Sequence, residues 1–169
     1  MNRDVTLTER TFALADRLKA TFALIPQRPL NIVIHLIIPL IGLATLALVL
    51  SQNKPVTSQL VVVLAACFSF TPVFAVVIVL MGHFGTKAAR DPFTYRFDEN
   101  GIHVKAATHE FTHRWSGIRK ITRFGGFLML FYSPGLAHCL PLKWLSAAEL
   151  QGIVALATAQ GVKVKGHVI

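Results

Sequence analysis

The amino-acid sequence predicts a membrane α-helical hairpin joined to an α+β soluble domain. The first observation is a pair of apolar runs, at positions 30–50 and 60–81 of the 169 residues, neither of which contains a charged side chain. The second is a period-two alternation of apolar and polar residues that begins at Phe93, which is typical of half-buried strands. The third is a single amphipathic segment near the C-terminus, with the apolar spacing of a helix.

The first 29 residues are predicted to form an amphipathic arm. Thr6 and Glu9 have the spacing of a capping box, which predicts that a helix begins there. Such a helix could lie flat in the membrane interface as an anchor or pack its apolar side against the soluble domain, and the sequence leaves both open. Its predicted apolar side comprises Leu7, Thr11, Leu14, Ala15, Leu18, Phe22 and Ile25, whereas Asp16 and Arg17 lie on the opposite side.

The two apolar runs are 21 and 22 residues long. At about 1.5 Å of rise per residue, each helix would cross a hydrocarbon layer about 30 Å thick. Basic residues flank the outer ends of both runs, whereas the link at positions 51–59 carries only Lys54. Because positive charge stays on the cytoplasmic side of a membrane, we expect a multi-pass protein with both termini in the cytoplasm. His35 lies inside the first run, where an ionisable side chain needs a polar partner.

About six strands are predicted to follow a short linker at positions 83–92. Asn100 and Gly101, between the first two strands, are suited to the positive φ of a tight hairpin turn. Gly125 and Gly126 mark a second turn, and the uninterrupted apolar run after them is typical of a buried central strand. The predicted strands lie at about 93–98, 102–106, 108–115, 118–124, 127–132 and 137–140.

One helix is predicted to close the chain. Ser146 and Glu149 form a second capping-box pattern, the apolar stripe after them includes Ile153 and Ala157, and Gly161 lies where a C-terminal cap belongs. The short basic tail is predicted to be either mobile or an edge strand. The predicted organisation is an arm at 1–29, a hairpin at 30–82, a linker at 83–92, a soluble domain at 93–160 and a tail at 161–169.

The order of the predicted elements resembles a pleckstrin-homology-like (PH-like) domain, in which one C-terminal helix closes a bent antiparallel sheet. Several segments are similar to the YcxB-like family of small bacterial membrane proteins, namely TLTER in the arm, FDENGIHV in the first hairpin, RWSGIRKI around Trp115, and LMLFY followed by LPLKWLSAAEL. The resemblance implies an inner (cell) membrane protein with an arm, two membrane helices and a C-terminal YcxB-like domain. The family carries no established activity, so the resemblance leaves the function open.

Residues 109–113 spell HEFTH, which matches the HExxH signature of zinc proteases. That chemistry needs a helix, so that both histidines bind the metal and the glutamate reaches the bound water. The surrounding alternation instead predicts a strand, on which His109 and His113 share one face and Glu110 points away. A membrane metalloprotease is therefore an alternative hypothesis, with His109 and His113 as weak candidates for metal ligands.

The favoured hypothesis is a non-enzymatic membrane protein without a cofactor, whose cytosolic domain binds anionic lipid, a protein partner or a second copy of itself. The net charge of +9 favours contact with anionic head groups, and the lack of a recognition motif argues against nucleic acid. A further alternative is an oligomeric transport or channel subunit with His35 in its lumen. The candidate lipid- or partner-binding residues, which could also be only a solvated face, are Lys87, Arg90, Arg119, Lys120 and Arg123.

Overall fold

The computed structural model describes residues 4–27 and 29–166, except for the side chains at positions 29–32, 34, 35 and 88. Over these residues the protein is α+β, with four α-helices and two four-stranded sheets. The helices are α1 (Leu14–Leu24), α2 (Pro29–Ser51), α3 (Ser58–Gly85) and α4 (Ala147–Ala159). The strands are β1 (Val5–Arg10), β2 (Phe93–Phe97), β3 (Gly101–Lys105), β4 (Glu110–Arg114), β5 (Lys120–Phe124), β6 (Phe127–Ser133), β7 (Leu136–Pro141) and β8 (Lys163–Lys165).

Both apolar runs form helices, α2 and α3, which are joined by an exposed link. Among the described residues, α3 is the one helix that is long and apolar enough to cross a membrane, and only 6% of its most apolar window is buried. α2 contributes a shorter apolar stretch, Leu36–Ser51. The two helices approach closely at Gly42, where a Cβ would lie 3.3 Å from the Cβ of Cys67. The prediction for His35 concerns a side chain outside the described residues.

The first sheet is antiparallel and has the strand order β1-β2-β3-β4. β1 occupies the segment in which Thr6 and Glu9 predicted a helix start, so that prediction is wrong. The cause is tertiary, because Leu7 pairs with Tyr95 of β2 and is only 1% exposed. Ladder hydrogen bonds and the burial of Leu7 outweigh the local preference for a capped helix. Glu9 instead adopts a φ of 49° beside an irregularity in the β1–β2 pairing.

The second sheet has the order β7-β6-β5-β8, and β8 runs parallel to β5. The six predicted strands are confirmed as β2 to β7, although they are divided between two sheets rather than forming one. The edge-strand alternative for the tail is confirmed at Lys163–Lys165. The last part of the predicted tail, residues 167–169, lies outside the described residues.

β6 is buried on both of its faces. Leu128 and Leu130 join the main core, which is shared with α4 and with the first sheet. Met129 and Phe131 lie on the other face and pack in a second cluster with residues of α1. This double burial explains why the β6 sequence is continuously apolar, and it confirms the prediction of a buried central strand.

α1 packs against the soluble part of the chain, but not with the predicted side. Its buried residues are Asp16, Ala20 and Ala23, whereas Phe22, on the predicted apolar side, is 40% exposed. The two alanines pack against the second sheet. Asp16 can be buried because both of its carboxylate oxygens accept hydrogen bonds from Lys143 Nζ, at 2.9 and 2.7 Å. Of the two arrangements that the sequence left open, the structure has packing on the domain.

The last helix cap forms as predicted, and the first hairpin turn forms at the predicted place, although Asn100 does not adopt the expected positive φ. Asp98 Oδ1 accepts hydrogen bonds from the backbone N–H groups of Asn100 and Gly101, at 2.8 and 3.1 Å. The Ser146 N–H donates to Glu149 Oε2 at 2.7 Å, and Ser146 Oγ accepts from the Glu149 N–H at 3.2 Å, which completes the capping box. The hydrogen bond from the Ser146 backbone is the main reason why the pKa of the Glu149 carboxyl is lowered.

Candidate functional site

The HEFTH segment lies in and beside β4, an extended strand paired with β3, as the alternation predicted. His113 Nδ1 is 2.6 Å from His138 Nε2, whereas His109 Nδ1 contacts Thr108 Oγ1 at 3.2 Å. Within the described residues, no group of three or more His, Cys, Asp or Glu side chains could hold a metal ion. The helical geometry that a zinc protease needs is therefore not formed by this segment.

The contact between His113 and His138 joins the two sheets, because His113 belongs to β4 and His138 to β7. The rings of Phe111 and Tyr132 lie against the pair, with centroids 5.8 and 5.3 Å from that of His138. Burial, together with the neighbouring His113, lowers the pKa of His138 to about 4. At neutral pH the His138 imidazole is therefore uncharged. Sequence reasoning missed it, because no local pattern links residues on strands of different sheets.

A basic pocket of about 520 Å³ lies at the β5–β8 edge of the second sheet. Lys120 Nζ is 4.3 Å from the centre of the Phe131 ring and 3.5 Å from Gln27 Oε1. Gln27 belongs to the short turn that leads into α2, so the pocket lies beside the start of that helix. No carboxylate among the described residues lines it. The cationic side chains that line this basic pocket are Arg119, Lys120, Lys163 and Lys165.

The five basic residues singled out from the sequence do not form one site. Arg119 and Lys120 line the basic pocket, whereas Arg123 is exposed on β5 outside it. Lys87 and Arg90 are exposed just after the end of α3.

Sequence reasoning missed two of the four cations of the basic pocket, Lys163 and Lys165. They reach it because β8 pairs with β5, in the register Lys120 to Lys163 and Thr122 to Lys165. The alternation VKVK at positions 162–165 was the available signal, since alternate lysines on a strand share one face.

A second cavity, of about 500 Å³, lies between α1, the C-terminal end of α3 and strands β2 and β7; we call it the α1–α3 cavity. Arg17 of α1 lines it and donates a hydrogen bond from Nη2 to the carbonyl oxygen of Ala89. Burial lowers the pKa of the Arg17 guanidinium, against the opposing influence of Tyr95. Burial also raises the pKa of the Cys139 thiol to about 11, so this lining residue is neutral and unreactive at physiological pH.

Residues 97–157 match the family model described as YcxB-like protein. The chain therefore carries a YcxB-like domain over this segment, which runs from the end of β2 into α4, and the resemblance drawn from the sequence is confirmed there. Comparisons with curated proteins and with solved structures give no significant match.

Proposed function

We propose that the chain is a non-enzymatic protein of the inner (cell) membrane that holds a lipid-binding domain at the cytosolic surface. In this proposal α2 and α3 form the membrane hairpin. The remaining elements, α1, α4 and the two sheets, form the domain, which we call the α+β unit. The observation that carries the proposal is the exposed apolar surface of the two helices, where for example Val62 is 66% and Met81 is 70% exposed. Such a surface would be very unfavourable in water and is stable in hydrocarbon.

The positions of the ends of the hairpin support a single cytosolic side. α1 contacts both the second sheet and α3, so the chain enters α2 and leaves α3 beside the same α+β unit. The basic pocket lies at the start of α2, and Lys87 and Arg90 follow the end of α3. Positive side chains at these two places agree with the positive-inside rule, which puts both termini in the cytoplasm.

We further propose that the α+β unit is a PH-like module. Seven of the eight described strands precede one helix, α4, which buries Ile153 and Ala157 against the main core. The last strand, β8, follows α4, contacts it and forms the edge of the second sheet at which the basic pocket lies.

The basic pocket is the proposed contact for anionic head groups of the cytosolic leaflet. Its four cations lie around one opening with no carboxylate from the described residues to neutralise them. Each lysine or arginine near an anionic surface contributes about 1 kcal/mol, a contribution that falls off within a Debye length. The pocket is adjacent to Gln27, which precedes the proposed membrane helix, so the distance to the head groups is short.

The membrane location is tested by expressing the full chain in bacterial cells and washing the isolated membranes with alkaline carbonate. We expect the protein to stay in the membrane pellet, and reporters fused separately to each terminus to be active on the cytoplasmic side. Release of the protein by carbonate, or reporters active in opposite compartments, would contradict the proposed hairpin.

Lipid binding is tested with the full chain in nanodiscs, by electron paramagnetic resonance of spin-labelled phosphatidylglycerol against spin-labelled phosphatidylcholine. We expect the wild type to select the anionic lipid, and the double variant Lys163→Gln/Lys165→Gln to lose several-fold in selectivity. The variant Lys105→Gln/Arg114→Gln removes the same charge from exposed positions on the first sheet and should keep it. Equal selectivity in all three proteins would disprove the role of the basic pocket.

A further inference from the structure

The α1–α3 cavity has the size of a small-molecule site and a mixed lining. Its volume of about 500 Å³ falls in the usual range for ligand pockets. Val79 and Ala20 contribute apolar residues to the lining, and Thr21 and Thr86 contribute polar ones. The cavity lies at the end of α3 that we place at the cytosolic surface, on a different part of the molecule from the basic pocket.

The charge in this cavity has no counter-charge. Arg17 is its one cationic side chain of the Lys or Arg type, and no carboxylate among the described lining residues faces it. The neighbouring carboxylate of Asp16 is bound instead by Lys143, at 2.7 Å. Arg17 Nη2 donates to a neutral carbonyl oxygen, that of Ala89, and the aromatic ring of Phe12 lies 5.6 Å from the guanidinium carbon. The Arg17 side chain is partly buried, and partial removal of a guanidinium from water without an anion has a cost that a bound anion would relieve.

Two buried nitrogen atoms at the cavity also have no hydrogen-bond partner within the described part of the chain. They are Arg17 Nε and His83 Nδ1, both with almost no solvent exposure. Buried polar atoms without a partner are rare in folded proteins, and each calls for a specific explanation. Here the two atoms belong to side chains from different helices, α1 and α3, that line the same cavity.

We propose that the α1–α3 cavity binds a phosphate oxyanion, supplied by a lipid head group of the cytosolic leaflet or by free phosphate. Arg17 provides the positive charge and a forked set of N–H donors, which suits the oxygens of a phosphate. His83 lines the cavity from α3, and the apolar part of the lining accommodates the start of the acyl chains of a lipid. This inference goes beyond the proposed membrane anchoring, because it uses neither the basic pocket nor the lipid-facing surface of the hairpin.

The most direct test places a new side chain in the α1–α3 cavity and leaves the proposed hydrogen-bond donors unchanged. Gly82 lines the cavity, and a Cβ added there would meet no atom within 4 Å, so Gly82→Leu places a side chain in open space. Gly85, one turn further along α3, is equally open but does not line the cavity, so Gly85→Leu is the matched control. A second pair removes charge from α1, with Arg17→Gln at the cavity and Lys19→Gln at an exposed position outside it.

The measurement is isothermal titration calorimetry of the full chain in a non-ionic detergent, with dihexanoyl-phosphatidylglycerol, inorganic phosphate or, as the control without a phosphate, dihexanoylglycerol as the titrant. Gly82→Leu, which fills the cavity, and Arg17→Gln, which removes a charge-assisted hydrogen bond, should each weaken binding of an anionic titrant by about tenfold or more. Gly85→Leu, Lys19→Gln and the basic-pocket variant Lys163→Gln/Lys165→Gln should bind as the wild type does.

The titrant that binds identifies the source of the oxyanion. Binding of phosphatidylglycerol without binding of inorganic phosphate assigns the site to a lipid head group, and binding of inorganic phosphate assigns it to a free anion. The proposal is overturned if neither anion binds the wild type, if Gly82→Leu and Arg17→Gln bind as the wild type does, or if dihexanoylglycerol, which lacks the phosphate, binds as tightly as phosphatidylglycerol. Binding that depends only on Lys163 and Lys165 would support the basic pocket and refute the cavity.

Discussion

The α2–α3 pair and the α+β unit use the same apolar residue types in opposite ways. In the α+β unit, leucines are inside, and Leu7 and Leu130 are 1% and 0% exposed. In α2, Leu48 is 58% exposed, and its neighbours along the helix are similarly open. Burial against other side chains stabilises the first group, whereas the second group has no such burial within the described part of the chain. In the proposed membrane location, hydrocarbon would surround the second group instead.

Within the α+β unit, α1 is an element that contacts the α2–α3 pair. It contacts α3 on one side and covers the Met129 and Phe131 face of the second sheet on the other. Asp16 of α1 is paired with Lys143, whereas Arg17 donates to the carbonyl oxygen of Ala89 and has no carboxylate partner among the described residues. A short helix with both contacts would hold the α+β unit in a fixed position relative to the hairpin.

The same substitution in the two regions should have very different effects. We expect Leu7→Ala to lower the free energy of unfolding of the α+β unit by about 2–5 kcal/mol, because it leaves a cavity in the main core. Leu48→Ala, on the exposed surface of α2, should leave that value within error. Urea unfolding of the full chain in detergent, followed by tryptophan fluorescence, measures both. If both variants lost a similar free energy of unfolding, the proposed difference between the two regions would be contradicted.

Lowering the pH should destabilise the α+β unit before it affects α2 and α3. The pKa of His138 is about 4 in the folded protein, below its ordinary value of 6.5, so the unfolded chain binds more protons between these values. Stability is therefore fully present above about pH 6.5 and decreases as the pH falls towards 4, by up to roughly 3 kcal/mol. Urea unfolding at several pH values tests this.

Two variants distinguish the effect of protonating His138 from the effect of protonating other groups at low pH. His138→Phe should flatten the pH profile, and the exposed His109→Gln should leave it as in the wild type. The far-ultraviolet circular dichroism of α2 and α3 should persist at pH 4, since neither helix depends on this residue. A profile that stays unchanged in His138→Phe would show that another group controls the acid transition.

The smallest expected difference in stability concerns the N-terminal caps of α4 and α3. Ser146→Ala removes the capping box of α4 and should cost about 1 kcal/mol of stability in the α+β unit. Thr57→Ala removes the side chain that accepts the Leu60 N–H at the start of α3, in the exposed link, and should not alter that stability. Thermal unfolding followed by tryptophan fluorescence compares the two. If Thr57→Ala destabilised the α+β unit as much as Ser146→Ala does, the hairpin and the unit would have to unfold together.

Much of the local structure could be predicted because it depends on neighbours in the sequence. Asp98, Asn100 and Gly101 form their turn through contacts two and three residues apart, and Ser146 and Glu149 form their cap in the same way. β1 could not be predicted by such rules. Its Thr6 and Glu9 satisfy the pattern of a helix start, and only the pairing with β2, nearly 90 residues later in the chain, decides otherwise.

Each candidate site can be compared in the same way, by asking which of its residues could be predicted from the sequence and which meet only through tertiary contacts. Arg119 and Lys120 are adjacent in the sequence and could be proposed from it, whereas Lys163 and Lys165 join them only through the parallel pairing of β8 with β5. The α1–α3 cavity had no sequence signal at all. It exists because two helices and two strands, far apart along the chain, leave space beside one arginine, Arg17.

The elements that could be predicted from the sequence are those with a periodic or local pattern: the two apolar helices, the six central strands and the capped helix α4. Contacts between distant segments set which residues of α1 face inward, how the strands divide into two sheets, and which charges meet around a cavity. The two groups differ because a periodic pattern shows only that an element has an apolar side to bury. The partner that buries it, or that neutralises its charge, is chosen by packing between segments that the chain order does not place together.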